Sequence, residues 1–332
     1  MQIKKITLVG SGAWGMALAM HLAKENRCQI ALWSARAASR ESLQVNRGNQ
    51  ALLPGATLPP SVAVPDHLKS ALEGSDLLVS AVPSAHLRSV METLRAFVPL
   101  NIPYLSTTKG LERGTFLRPS EVIEAVLGKR PGAILSGPSH AEEVARGLPT
   151  SLVVAGSEDS LNQGIQALFN SESFRVYTNF DPLGVELAGA LKNIVAIAAG
   201  INDGLGFGDN SKAALMTRGL VEITRLGVGL GAQPRTFQGL AGLGDLIATC
   251  TSRHSRNRLV GEKIGRGENP AEFLPRMVQV AEGVFTITPV RDLALSKNID
   301  MPIMEQIYQV LFCGKAARSA VLDLMSRLPK EE

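Results

Sequence analysis

An apolar run, Ile3–Val9, passes directly into Gly10-Ser11-Gly12-Ala13-Trp14-Gly15 and then into the Ala- and Leu-rich stretch Met16–Lys24. Few local patterns constrain a fold more, because three glycines at this spacing imply a strand, a tight turn and a helix in immediate succession. The first glycine permits the turn, the second lets backbone N–H groups approach a bound group closely, and the third lets the helix pack tightly on the strand. Chance alone supplies three glycines at this spacing about 0.3 times in a chain this rich in glycine. The flanking strand and helix therefore carry the meaning. In that context the helix N-terminus faces negative charge, and the loop predicts a cradle for the pyrophosphate of a dinucleotide.

The alternation continues to about Asn179. Runs rich in Val, Ile and Leu at Gln29–Trp33, Asp76–Val82, Tyr104–Thr107, Ala133–Leu135, Ser151–Ala155 and Phe174–Tyr177 are separated by helical patterns. This predicts a parallel, doubly wound α/β sheet. In such sheets ligands lie beyond the carboxyl ends of the strands. Attention therefore falls on Gly10–Gly15, Ser34–Arg36, Pro83-Ser84, Thr108-Lys109-Gly110 and Ser136-Gly137-Pro138-Ser139. Past Asp181-Pro182, an N-cap followed by a first-turn proline, strand patterns cease. Leu183–Ile201, Lys212–Leu226, Asn257–Ile264, Pro289–Lys297, Pro302–Phe312 and Lys315–Arg327 carry helical periodicity instead. We therefore expect a Rossmann-like dinucleotide-binding domain over residues 1–182 and an all-helical domain over residues 183–332.

Composition narrows the function classes. With 332 residues, 45% of them apolar, the chain can fill two packed cores. Cys28, Cys250 and Cys313 lie far apart, so no disulfide framework or metal site is expected, and they read as small buried hydrophobes. Leu183–Ile201 nearly reaches membrane-spanning length, but it contains Glu186, Lys192 and Asn193. Charge is costly at a bilayer centre, so this stretch reads as the buried helix of a soluble domain rather than an integral membrane segment. No charged segment precedes an apolar signal core at the N-terminus, which makes a reducing cytoplasm the expected compartment. A net charge of +4 suits an anionic small molecule, a membrane surface or nucleic acid alike, and aromatic residues make up only 5% of the chain. Stacking partners are missing from the basic stretch near residues 253–266, so nucleic acid is not an expected partner.

Several residues could carry chemistry. The second strand ends in Trp33-Ser34-Ala35-Arg36, without the carboxylate that usually greets a ribose 2′-hydroxyl. Ser34 and Arg36, with Arg40 behind, suit a 2′-phosphate, which favours NADPH while leaving NADH open; a solvated surface arginine is the other reading. Lys192 lies in the most apolar helix, where burial lowers a lysine pKa toward neutrality and suits it to exchange a proton. Snorkelling to solvent or a structural ion pair is its bland alternative. Lys109 ends a strand, where a lysine can meet the reacting end of the cofactor. Gly239–Asp245 is a glycine-rich approach to a single carboxylate, readable also as close packing with a structural cap. Ser252–Arg258 combines hydroxyls, an amide and guanidinium forks ahead of a helix, which reads either as a clamp for a phosphate monoester or as a solvated basic loop.

Taken in order, Gly10–Gly15, Thr108-Lys109-Gly110-Leu111-Glu112, Ser136-Gly137-Pro138-Ser139, Leu191-Lys192-Asn193, Gly242–Leu246, Ser255-Arg256-Asn257-Arg258 and Val280-Ala281-Glu282-Gly283 resemble the bacterial-type NAD(P)-dependent glycerol-3-phosphate dehydrogenases almost end to end. The resemblance implies a Rossmann-like domain joined to a helical domain of the 6-phosphogluconate-dehydrogenase-like kind. It also implies reversible reduction of dihydroxyacetone phosphate to sn-glycerol 3-phosphate, serving phospholipid synthesis. By motif, Lys192 is the proton donor and acceptor, with Lys109 and Asp245 as catalytic partners. Gly10, Ser11, Gly12, Ala13, Trp14, Gly15, Ala35, Arg36, Lys109, Ala141, Arg256, Val280 and Glu282 border the cofactor. Lys109, Gly137, Ser139, Lys192, Asp245, Ser255, Arg256 and Asn257 contact substrate. Ala13 stands where relatives often have Ser, and His140 where Phe is common. A homodimer is the expected assembly if the chain is not monomeric. The rival readings are another hydroxyacid dehydrogenase or ketoacid reductase of the same fold, and a nucleotide-sensing protein without catalysis.

Overall fold

The computed structural model describes residues 3–277, 281–328 and 331. Eight strands, β1 (Lys5–Val9), β2 (Gln29–Trp33), β3 (Val62–Ala63), β4 (Leu77–Ser80), β5 (Tyr104–Ser106), β6 (Gly132–Ser136), β7 (Thr150–Gly156) and β8 (Phe174–Asn179), form one sheet in the order β3-β2-β1-β4-β5-β6-β7-β8. The first strand pairs on both sides, Val9 opposite Trp33 and also opposite Ser80, so β1, β2 and β4 end at one level. Both faces are covered. Ile6, Leu8, Leu32 and Val79 meet Met16, Leu18 and Leu22 of the first helix, Ala13–Glu25, on one side. Leu78 and Tyr104 meet Met91, Leu94 and Ile123 on the other. Burial on both faces explains why these strands read as continuous apolar runs rather than alternating ones.

Two features differ from the strand pattern expected of the sequence. The two-residue β3 is too short to leave a periodic signal in the sequence. More consequential, β6 and β7 pair antiparallel, whereas β7 and β8 are parallel. The physical reason lies in the connections. Between β6 and β7 the chain forms the five-residue helix Ala141–Ala145, which rises about 7.5 Å and cannot carry the chain back along a strand. Between β7 and β8 the eleven-residue Asp159–Phe169 makes that return.

Asp181 accepts a hydrogen bond from Gly184 N (2.9 Å) and starts the central helix, Pro182–Leu205. Its other oxygen accepts from Gln233 N and Thr236 Oγ1, tying the start of the helical domain to the turn before residue 237. The apolar window of this helix is wholly buried inside the protein. The helix Arg256–Gly265 crosses it through glycines: a Cβ on Gly200 would fall 1.9 Å from Arg258 O, and one on Gly261 would fall 1.9 Å from Ile197 O. Backbone thus rests on backbone, and no larger residue fits. Further helices, Gly208–Gly229, Glu282–Ser296 and Pro302–Phe312, complete the core around Ile194, Ile197, Leu226, Ile287 and Ile307. Of the cysteines, only Cys250 is buried; Cys28 is partly exposed and Cys313 exposed, since the latter ends a helix at the surface.

Candidate active site

The glycine turn does three separate jobs. Gly10 has φ +113°, and a side chain there would strike Ala81 O at 2.5 Å. A Cβ on Gly15 would fall 1.9 Å from Gly10 O, so only glycine lets the helix come this close to the turn. A Cβ on Gly12, by contrast, would meet no atom of the described residues within 4 Å, and Gly12 caps the helix Ala13–Glu25 without any side-chain hydrogen bond. The first backbone N–H groups of that helix, at Ala13, Trp14 and Gly15, have no partner within the helix, and Gly12 leaves room at its start. This fits a dinucleotide pyrophosphate: donors, a positive helix end and room.

At the end of β2, Arg40 is already engaged. Its guanidinium donates to Ser34 O (2.7 Å) and Ala35 O (3.3 Å) and lies 5.6 Å from the centre of the Trp33 ring. Ser34 is buried, and its Oγ accepts from Arg36 N at 3.4 Å, a bond that uses a lone pair of the hydroxyl and not its O–H donor. Ala35 and Arg36 are exposed, and Arg36 begins the helix Ala37–Asn46. Arg36 is an exposed cation at this strand end.

The chemical centre lies where the two domains meet. Lys192 Nζ donates to Asp245 Oδ1 at 2.5 Å and to Thr249 Oγ1 at 2.5 Å. Lys109 Nζ donates to the other oxygen of the same carboxylate, Asp245 Oδ2, at 2.7 Å and to Gly137 O at 3.2 Å. Lys192 and Asp245 are both buried. Each partner is delivered by a local device. Thr107 Oγ1 and Thr108 Oγ1 donate to Ser80 O and Val82 O, fixing the end of β5, and the Lys109 stem then passes Gly189, where a side chain would crowd Ser136 Oγ at 2.8 Å. Asp245 follows a π-helical turn, Leu240–Gly244, in which a Cβ on Gly242 would fall 2.0 Å from Phe237 O. Such turns re-aim the residues after them. Asp245 and Thr249 share one face of the helix Asp245–Thr251 at i,i+4 spacing.

Electrostatics follow from this burial. Desolvation lowers the Lys192 ammonium to about 8, against the pull of Asp245, with Lys109 lowering it further. Burial pushes the Asp245 carboxyl up, but Lys109 and Lys192 outweigh it and hold the group below its ordinary value. One carboxylate thus serves two cations, and the centre keeps a net positive charge.

The remaining expected residues surround this cluster. Gly137, at φ +135°, turns its carbonyl toward Lys109 and toward Ser139 Oγ (3.1 Å). Ala141 opens the short helix after it, and His140 Nε2 lies 3.3 Å from Ala248 O, which ties this loop to the Asp245 helix. Ser255 caps the helix Arg256–Gly265 through Arg258 N (3.2 Å). Asn257 Nδ2 donates to Asn193 Oδ1 (3.0 Å) and its Oδ1 accepts from Gly283 N (2.9 Å), so Asn193 joins the site beside Lys192. Arg256 is exposed, has no hydrogen-bond partner among the described residues, and its charge reaches the Glu282 carboxylate. Val280 lies outside the described residues. Asn193 lies inside the Leu191-Lys192-Asn193 motif without a role of its own being read there, and Thr249 lies in no motif; only its spacing from Asp245 could have pointed to it.

A glycine cradle at the carboxyl edge of a Rossmann-like sheet, facing a buried lysine from a helical domain, defines an NAD(P)-dependent dehydrogenase, an oxidoreductase. The NAD-dependent glycerol-3-phosphate dehydrogenase N-terminus matches residues 5–162, and the C-terminus of the same family matches residues 181–322. The chain belongs to the NAD-dependent glycerol-3-phosphate dehydrogenase family. It is 47% identical to the glycerol-3-phosphate dehydrogenase [NAD(P)+] of Syntrophomonas wolfei, over 99% of this chain and 96% of that one. The crystal structure of glycerol-3-phosphate dehydrogenase from Coxiella burnetii superposes with a TM-score of 0.93 at 37% identity, covering 98% and 99% of the two chains. A ketopantoate reductase from Ralstonia eutropha shares the fold alone, with a TM-score of 0.59 at 14% identity over 96% and 99% of the chains.

Proposed function

We propose that this enzyme transfers a hydride reversibly between NAD(P)H and C2 of dihydroxyacetone phosphate, forming sn-glycerol 3-phosphate for glycerophospholipid synthesis in the cytoplasm. The observation that carries the reading is the shared carboxylate: Asp245 holds two ammonium groups, one of them buried and poised at about 8. When bound, the nicotinamide supplies the hydride. As negative charge grows on the carbonyl oxygen, Lys192 Nζ gives it a proton, and in the reverse direction takes it back. An ammonium group has three N–H bonds. Two are directed at Asp245 and Thr249, which leaves the third for the substrate oxygen. Asp245 orients Lys192 and keeps it charged, and Lys109 adds a second positive charge at the same end.

In this reading Gly137, Ser139, Ser255, Arg256 and Asn257 grip the polar groups of the substrate, Arg256 reaching also toward the dinucleotide. Gly10, Ser11, Gly12, Ala13, Trp14, Gly15, Ala35, Arg36, Lys109, Ala141, Val280 and Glu282 line the cofactor, with Arg36 selecting NADPH over NADH. Residues 1–182 form the cofactor half and 183–332 the substrate half. The exposed Leu295, Leu322 and Met325 of the helical half support a homodimer. The deciding experiment follows NADPH oxidation with dihydroxyacetone phosphate beside a panel of 2-ketoacids that includes ketopantoate. Turnover of dihydroxyacetone phosphate is expected, and turnover of the ketoacids alone would sink the assignment.

A further inference from the structure

Ser84 and Glu282 come from opposite domains and meet beside the lysine centre. Ser84 opens the turn Ser84–His86 after β4, and Glu282 begins the helix Glu282–Ser296. Ser84 Oγ donates to Glu282 Oε2 at 2.6 Å. Ser84 is buried. The loop that carries Lys109 closes over this contact: a side chain on Gly110 would come within 2.7 Å of Ser84 Oγ and 3.3 Å of Thr286 Oγ1. On its other side the Ser84 segment supports the glycine turn, since Ala81 O is the atom that Gly10 must clear. One short stretch, residues 81–84, thus touches the pyrophosphate turn at one end and the helical domain at the other.

We propose that Ser84 is a positioning residue for the cofactor: its hydroxyl holds the Glu282 carboxylate and so fixes the edge of the helical domain against the dinucleotide. This rests on the reading of Glu282 as a residue that borders the cofactor. A buried carboxylate deprived of a donor must turn to find another or take up a proton, and either response moves it from that edge. The Ser84 hydroxyl bonds Glu282 and not Lys109, Lys192 or Asp245, so its loss acts on cofactor affinity rather than on proton transfer.

The chain's two tryptophans, Trp14 beside the glycine turn and Trp33 at the end of β2, make quenching of their emission the readout for NADPH in this test. The test titrates NADPH into wild type, Ser84→Ala, Glu282→Ala and the double variant, with kcat for dihydroxyacetone phosphate at saturating NADPH and Tm measured alongside. Ser84→Ala is expected to raise the NADPH Kd about tenfold, with kcat within about twofold of wild type. In the Glu282→Ala background, removing Ser84 should weaken binding no further, because the two act as one unit. An unchanged Kd in Ser84→Ala, additive losses in the double variant, or a Kd rise accompanied by equal falls in kcat and Tm each overturn the proposal. A wild-type protein that does not bind NADPH, or binds it without reducing dihydroxyacetone phosphate, instead overturns the functional reading beneath it.

Discussion

At Gly10–Gly15 the binding surface is the backbone of six consecutive residues, and its working part at Gly12 is empty space. At Lys192 it is four side chains, Lys109, Lys192, Asp245 and Thr249, drawn from three separate segments and held within hydrogen-bond reach of one another. The first needs only a strand edge and a helix start. The second exists only if β5, the central helix and the π-helical turn all pack in register, and glycines at 189, 200, 242 and 261 make that packing fit. A cofactor shared by many enzymes is thus held by local geometry, whereas the chemistry is assembled by tertiary structure.

Mutations should separate the two regions. The largest effect is expected from Lys192→Ala, which should lower kcat by about 10²–10⁴ while tryptophan quenching by NADPH is retained. Near-normal turnover would remove Lys192 from the mechanism and leave the centre a structural ion cluster. Within the cradle, two neighbouring glycines should fail differently. Gly15→Ala drives a methyl into Gly10 O and should cost about 3 kcal/mol in denaturant stability. Gly12→Ala meets no atom of the described residues and has ordinary helical-cap dihedrals, so it should leave Tm unchanged while weakening NADPH binding. Equal stability losses in both would mean that the space at Gly12 is not kept for a ligand. The smallest of these effects is expected at the cradle's edge. Arg36→Asp should raise the KM for NADPH by about tenfold and that for NADH little, since a phosphate partner becomes a like charge. Unchanged constants for both cofactors would place the 2′-phosphate elsewhere.

The same contrast explains what could be read from the sequence. The glycine turn and the strand Gln29–Trp33 are legible because their information is contiguous, and so is the start of the central helix at Asp181-Pro182. Lys192 is legible as an oddity, a charge in an apolar helix. Its partners are harder. Asp245 draws attention through the glycines before it and Asn193 sits next to Lys192, but Thr249 becomes part of the site only when helices cross, and no local pattern marks that event. The reversal of β7 is likewise hidden, because strand direction depends on whether the connecting helix is long enough to return and not on the strand's own residues. Nor does Arg40 reveal in sequence that its guanidinium is already engaged with neighbouring backbone, at Ser34 O and Ala35 O.

What joins the two regions is a proton on Lys192, and its titration gives the most direct measurement. Reduction requires the ammonium form, so kcat for dihydroxyacetone phosphate with saturating NADPH should be level below the Lys192 pKa and fall as pH rises through about 8. Asp245 favours the charged form, so Asp245→Asn should lower that pKa and move the fall to lower pH. A pH–kcat profile that stays flat from about pH 6 to about 10, or a fall that stays in place when Asp245 is neutralised, would contradict the assignment of Lys192 as the proton donor.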